Sequence, residues 1–132
     1  EINFLNTTLK LFGARTALHL TIYQADAPVG MISLNTIDTL VRHKADIGYW
    51  LTIPERGKGI MHKSIEALAD IAFHDYDLNK LTINAAVANR ASNAVAEKAG
   101  FHLDGTLRQD DQRADGTFLD VNTYSLLRSE WA

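Results

Sequence analysis

Two segments combine residue types and spacing that could do chemistry. The first is Leu51-Thr52-Ile53-Pro54-Glu55-Arg56-Gly57-Lys58-Gly59-Ile60-Met61. Its two later glycines let the backbone turn tightly with N–H groups exposed. An apolar stripe behind them predicts a helix whose first N–H groups lack intrahelical partners and carry the positive end of the dipole. With the charges of Arg56 and Lys58, this makes a cradle for a phosphate. It is not a Walker loop, because Lys58 is followed by Gly59, and it is not Gly-x-Gly-x-x-Gly. A solvent-exposed turn with ordinary glycines would use the same residues. The second segment is Asn89-Arg90-Ala91-Ser92-Asn93, continuing to Glu97-Lys98-Ala99-Gly100-Phe101. An asparagine after a strand and a serine opening a helix read locally as helix capping.

Other polar groups offer less. His62 and Glu66 stand one helical turn apart, but no third ligand is near in sequence and no His-x-x-x-His pair exists, so no metal is expected. His102 could act as a base, with a surface or packing role as the plainer reading. Asp104, Asp110, Asp111, Asp115 and Asp120 crowd one stretch against Arg108 and Arg113. That stretch is either a solvated hairpin or a surface that attracts a cationic partner.

The elements that must position these residues follow from periodicity. Ile2, Leu5, Leu9 and Phe12, ahead of Gly13, predict a short helix over 1–13. Strands are predicted over Thr16–Gln24 and Val29–Leu34, joined by a turn at Ala25–Pro28. A third strand covers Ala45–Leu51, and Gly48 inside it marks a bulge or a close backbone approach. Met61, Ile65, Leu68 and Ala72 form the stripe of a helix over 59–75. A strand follows over Lys80–Val87, then a helix over Ser92–Ala99 closed by Gly100. Phe101–Leu107 and Phe118–Leu127 are the last two strands, around a polar hairpin containing Gly116. The unit from strand to helix 59–75 to strand could be a parallel crossover. The class is α/β (α+β) with a mixed, mainly antiparallel sheet.

Composition sets the outer bounds. The chain has 132 residues, the length of one domain over 1–132. Apolar residues make up 46% and charged residues 22%, a globular balance that argues against long disorder. The net charge of −3 argues against a DNA- or RNA-coating role. There is no cysteine, so disulfides, thiol nucleophiles and cysteine metal sites are excluded. That is compatible with a cytoplasmic location. No apolar run is long enough to span a bilayer, so no membrane partner is expected.

Taken in order, Ala45-Asp46-Ile47-Gly48-Tyr49-Trp50-Leu51, Arg56-Gly57-Lys58-Gly59-Ile60, Asn89-x-x-Ser92-Asn93, Glu97-Lys98-Ala99-Gly100-Phe101 and Asp104-Gly105 resemble the GNAT superfamily of acyl-CoA N-acyltransferases. Within it the pattern resembles the RimL/RimJ-type branch, which acetylates ribosomal-protein N-termini and related amines. The resemblance covers roughly residues 16–128. It implies a GNAT-like three-layer sandwich with helices on both faces of the sheet, and acetyl-CoA as co-substrate without a metal. It implies a pyrophosphate loop over Arg56, Gly57, Lys58, Gly59, Ile60 and Met61, with Met61 standing where the family has glycine or alanine. The strand Tyr49, Trp50, Leu51 to Ile53 would hydrogen-bond pantetheine. Asn89 and Asn93 would lie against the cofactor, and Ser92 near the thioester sulfur would protonate the departing thiolate. The oxyanion would meet a backbone N–H near Trp50–Leu51. The base would be Asp111, an aspartate where the branch has glutamate, or Asp46.

The acceptor would be a primary amine. A lysine amine is neutral in only about one molecule in 2,500 at pH 7, whereas an α-amino group is neutral in roughly one in seven, so an N-terminal acceptor needs far less help from a base. The resemblance further implies that a strand and a helix precede residues 1–13, so that the chain is N-terminally short. The exposed sheet edge would then favour a homodimer. A CoA-binding module without catalysis is the second reading.

Overall fold

The computed structural model describes residues 2–11, 15–52 and 59–131, with side chains from residue 17 onward. Among them, seven strands form one sheet: β1 (Ile2–Leu11), β2 (Arg15–Gln24), β3 (Ala27–Asp38), β4 (Lys44–Leu51), β5 (Lys80–Ala86), β6 (His102–Gln112) and β7 (Phe118–Leu127). Their order across the sheet is β1-β2-β3-β4-β5-β7-β6. Only the β4–β5 neighbours are parallel. Two helices, α1 (Ile60–Asp70) and α2 (Arg90–Lys98), follow β4 and β5.

The first expectation fails. Residues 2–11 are a strand and not a helix, paired antiparallel to β2 from Ile2↔Gln24 to Leu11↔Arg15. Apolar spacing fits a helix there, but the run is rich in Asn and Thr, poor helix formers. The edge of β2 offers a row of backbone partners that a helix would leave unused. Phe12 and Gly13 lie outside the described residues.

Elsewhere the elements sit where periodicity places them, with shifted ends. The β2–β3 turn contracts to Ala25 and Asp26, both at positive φ (50° and 68°), the twist that suits a two-residue hairpin. Pro28 therefore lies within β3, opposite Tyr23. The stripe Met61, Ile65, Leu68 and Ala72 is buried as predicted, and α1 runs on into a π-helical turn over Ile71–Asp75. There Phe73 packs on Trp131, whose indole N–H donates to Asp70 at 2.8 Å.

One face of the sheet carries the core. Leu18, Leu34 and Ile47 are register partners across β2, β3 and β4, as are Leu81 with Leu126 and Ile83 with Tyr124 across β5 and β7. All seven are buried together with Ile65 and Leu68 of α1 and Ala96 of α2. Both helices therefore cover this face, and they touch each other. The opposite face runs through the part-exposed polar residues Ser33, Asn35 and Asp46 and through Thr82, which is buried and donates its hydroxyl to Asp46. Among the described residues no helix covers it, so the expected helices on both faces are found on one.

Three residues fix close approaches, two within the sheet and one between sheet and helix. Gly30 stands so close to β4 that a Cβ there would lie 2.3 Å from the Trp50 carbonyl oxygen. Gly48 is a second close approach, 3.1 Å from Asn35 Nδ2 by the same construction. Asn93 anchors α2 to the sheet. Its amide nitrogen donates to the Ala86 and Asn89 carbonyls at 3.0 and 2.7 Å, and its oxygen accepts from Asn122 and the Tyr124 hydroxyl at 2.9 and 2.6 Å. Burial pushes the Tyr124 phenol above its ordinary pKa, so its proton stays available for this bond.

Two stability outcomes follow from these ties. Asn93→Ala strands the buried Tyr124 hydroxyl and a strand carbonyl, and should cost about 2–4 kcal/mol in urea denaturation, against less than about 0.5 for Asn84→Ala on the exposed face. Gly30→Ala forces β3 from β4 and should cost about 1–3 kcal/mol in the same assay.

Candidate functional site

Strand β4 runs beside β5 for only three residue pairs, Lys44↔Lys80, Ala45↔Leu81 and Asp46↔Thr82. Beyond Asp46 the two strands part. β4 stays with β3 as far as Leu51↔Gly30, and the Thr52 N–H donates to the Val29 carbonyl at 2.8 Å. β5 stays with β7 as far as Ala86↔Val121. Each strand is held by its outer neighbour, so the gap between them is fixed by the sheet itself. Past Asp46 no strand among the described residues lies beside the β5-facing edge of β4.

The parting opens onto a cleft of about 520 Å³ between the starts of α1 and α2. Tyr49, Trp50 and Leu51 form its strand wall. Gly59, Ile60 and Met61 bring the first turn of α1 to one side, and Asn89, Ser92 and Lys98 bring α2 to the other. Gly59 holds φ +76° as the N-cap of α1 and, having no side chain, caps none of the first N–H groups of that helix, which a helix start leaves without intrahelical partners. These expected cofactor residues are thus gathered by three elements from distant parts of the chain. The remaining pyrophosphate-loop residues, Arg56, Gly57 and Lys58, lie outside the described residues, as does Ile53.

Ser92 does not cap α2. The helix begins at Arg90, and Asn89 is the cap, its side-chain oxygen accepting the Ser92 N–H at 3.1 Å. The Ser92 hydroxyl is therefore released from capping and meets Tyr49, whose phenol oxygen lies 3.0 Å from Ser92 Oγ and 3.2 Å from its carbonyl oxygen. Burial raises the Tyr49 pKa, while its bond to Ser92 opposes the shift. Asn93 faces away from this chemistry, because both of its amide protons and both acceptor positions are spent within the fold.

Neither proposed base lines the cleft. Asp46 sits at the vertex of the parting strands, on the face opposite Tyr49, and accepts the Thr82 hydroxyl. Asp111 is exposed on β6 beside a bulge between Leu107 and Asp111, and accepts the Gln112 N–H at 2.8 Å. The acidic hairpin spends several of its carboxylates on its own shape. Asp115 holds Thr117 in the turn through N–H and hydroxyl bonds of 2.9 and 2.7 Å, which hold its carboxyl below the usual range. Asp120 accepts the Gln109 N–H at 2.9 Å. Asp104 accepts from His102 and from Ser125, both at 2.8 Å. His62 pairs with Glu66 at 3.5 Å. Lys98 reaches the cleft without having been singled out in the sequence; its place on the Ala91, Ala94, Val95 face of α2 was the available signal.

Residues 2–102 match the family model described as the acetyltransferase (GNAT) domain. YdaF of Bacillus subtilis (strain 168) is 43% identical over 102 residues, 77% of this chain and 55% of that protein. The ribosomal-protein-serine acetyltransferase of Escherichia coli (strain K12) is 36% identical over 104 residues, 79% of this chain and 57% of that protein. Among solved structures, the ribosomal L7/L12 α-N-protein acetyltransferase RimL in complex with coenzyme A superposes with a TM-score of 0.81 at 32% identity, over 87% of this chain and 64% of that one. This chain therefore spans little more than half the length of the two bacterial relatives. The parted strands, the glycine-led helix and the matching family model together place the chain in the GNAT acetyltransferase domain family.

Proposed function

We propose that this chain, as one domain over 1–132, moves an acetyl group from acetyl-CoA to a primary amine, by direct attack in a ternary complex. The observation that carries the reading is the parting of β4 from β5 onto a cleft that holds both the Ser92 hydroxyl and the start of α1. The residues present fit the donor. A cleft of about 520 Å³ suits an extended thioester arm, and the first turn of α1 suits its phosphates. Acetyl-CoA supplies the activated acyl group. The β4 edge would hold the arm as an added strand-like partner, and Gly59 to Met61 would meet its pyrophosphate beside Arg56 and Lys58.

The proton balance assigns roles to the chain's own groups. As the C–N bond forms and the C–S bond breaks, nitrogen sheds one proton and sulfur gains one. The Ser92 hydroxyl hands a proton to sulfur and recovers one from the nitrogen side. Asp46 or Asp111 takes that same proton from the nitrogen through water and returns it by way of solvent to the Ser92 oxygen, so that one proton in all passes from nitrogen to sulfur. An acceptor with an α-amino group needs the least from that base. Among the relatives, one is named for a ribosomal-protein serine and a solved structure for the N-terminus of ribosomal L7/L12. A protein N-terminus of that kind is the acceptor we favour here, which would place the reaction in the cytoplasm. Because neither carboxylate lines the cleft, a CoA-binding module without catalysis is the competing reading.

Calorimetric titration with acetyl-CoA should show micromolar binding that Arg56→Ala/Lys58→Ala weakens. Ser92→Ala should leave that binding within about threefold and lower thiol release against N-terminal peptides by about tenfold or more. Binding without thiol release from the wild type would establish the binding module instead, and no binding by folded protein would overturn both. Asp110 is exposed and has no turn to hold, so Asp110→Asn isolates the surface charge. It should raise the KM for a basic peptide more at low salt than at high salt. An unchanged KM removes the acidic hairpin from acceptor recognition.

A further inference from the structure

The Tyr49–Ser92 contact joins the strand wall of the cleft to the helix that carries the reacting hydroxyl, across 43 positions of sequence. A phenol has one proton and two acceptors here, Ser92 Oγ at 3.0 Å and the Ser92 carbonyl oxygen at 3.2 Å. If the proton goes to the carbonyl, the serine hydroxyl turns its own proton onto the phenol oxygen and away from the cleft. If it goes to Oγ, the serine proton is released to point into the cleft. The two arrangements differ by small rotations of the O–H groups, with heavy atoms unmoved. The phenol therefore decides where the serine proton points.

We propose that Tyr49 is the positioning residue for Ser92, donating to its Oγ so that the serine hydroxyl delivers its proton to the departing sulfur. This rests on the acetyl-transfer reading given above. Tyr49 does not itself give up a proton. Both acceptors beside its hydroxyl belong to Ser92, at 3.0 and 3.2 Å, and burial makes this phenol harder to ionise, whereas Ser92 regains from the nitrogen side the proton it passes on. In each turnover one proton passes through Ser92, arriving from the nitrogen side and leaving on sulfur. Tyr49 stays protonated and holds the serine oxygen from behind. No other described side chain is bonded to that hydroxyl.

Tyr49→Phe keeps the ring and removes only the hydroxyl. It should lower kcat by about 5- to 15-fold, a hydrogen bond's worth, while the Kd for acetyl-CoA stays within about twofold. Combined with Ser92→Ala, it should cost no more than about twofold beyond Ser92→Ala alone, because the tyrosine acts through the serine. Phenolate absorbance against pH supplies a readout that needs no turnover. The tyrosine that disappears in Tyr49→Phe should titrate at higher pH in Ser92→Ala than in the wild type. An active wild type with unaltered kcat in Tyr49→Phe, fully multiplicative losses in the double variant, or an identical phenol titration in Ser92→Ala each overturns this assignment and leaves acetyl transfer standing. A folded wild type that binds acetyl-CoA and acetylates no amine overturns both.

Discussion

The whole site depends on a hydrogen-bonding conflict in the middle of the sheet. β4 and β5 are committed to outer partners, β3 and β7, whose registers carry them apart. They can share a ladder only at their first three pairs, ending at Asp46↔Thr82. Beyond those pairs no strand among the described residues lies between their facing edges. A buried edge of that kind needs a partner. The cleft thus arises from ordinary strand pairing.

The rest of the structure keeps this slot open. Gly30 lets β3 lie tight against Trp50, which pulls the end of β4 away from β5. The core under the sheet seats α1 and α2 on one face, so their N-terminal turns reach the slot from both sides. Asn93 fastens α2 to β5 and β7 and, one residue before it, Ser92 is delivered to Tyr49. The neighbouring side chains divide the labour: Asn93 is spent on architecture, and the hydroxyl of Ser92 is left to meet Tyr49 beside the cleft.

Much of this was legible from local signals. The stripe of α1, the period-two strand over Lys80–Val87 and Gly100 at φ +84° past α2 are all written in short windows of sequence. The cleft residues Tyr49, Gly59, Met61, Asn89 and Ser92 were named from motif order, and the structure brings them together. Residues 2–11 misled because the helical spacing of Ile2, Leu5 and Leu9 is a local signal, whereas the β2 edge that captures them is supplied by a distant segment. Ser92 looked like a cap because serine caps helices well; Asn89 takes that place, and only the backbone geometry of both residues reveals it.

From β2 onward, the sequence by itself determined which segments fold into which elements, and throughout it determined which residue types are available for binding phosphate and moving a proton. Short-range propensity and periodicity settle those matters, because they depend on neighbours a few positions away. The tertiary structure decided what each candidate is free to do. Asn93 lost its ligand role to four internal bonds, and the helices came to rest on one face. Asp46 was turned to the side opposite Tyr49, because successive residues of a strand point to opposite faces. Tyr49 met Ser92. Such outcomes turn on contacts between residues far apart in the chain, and strand register fixes them.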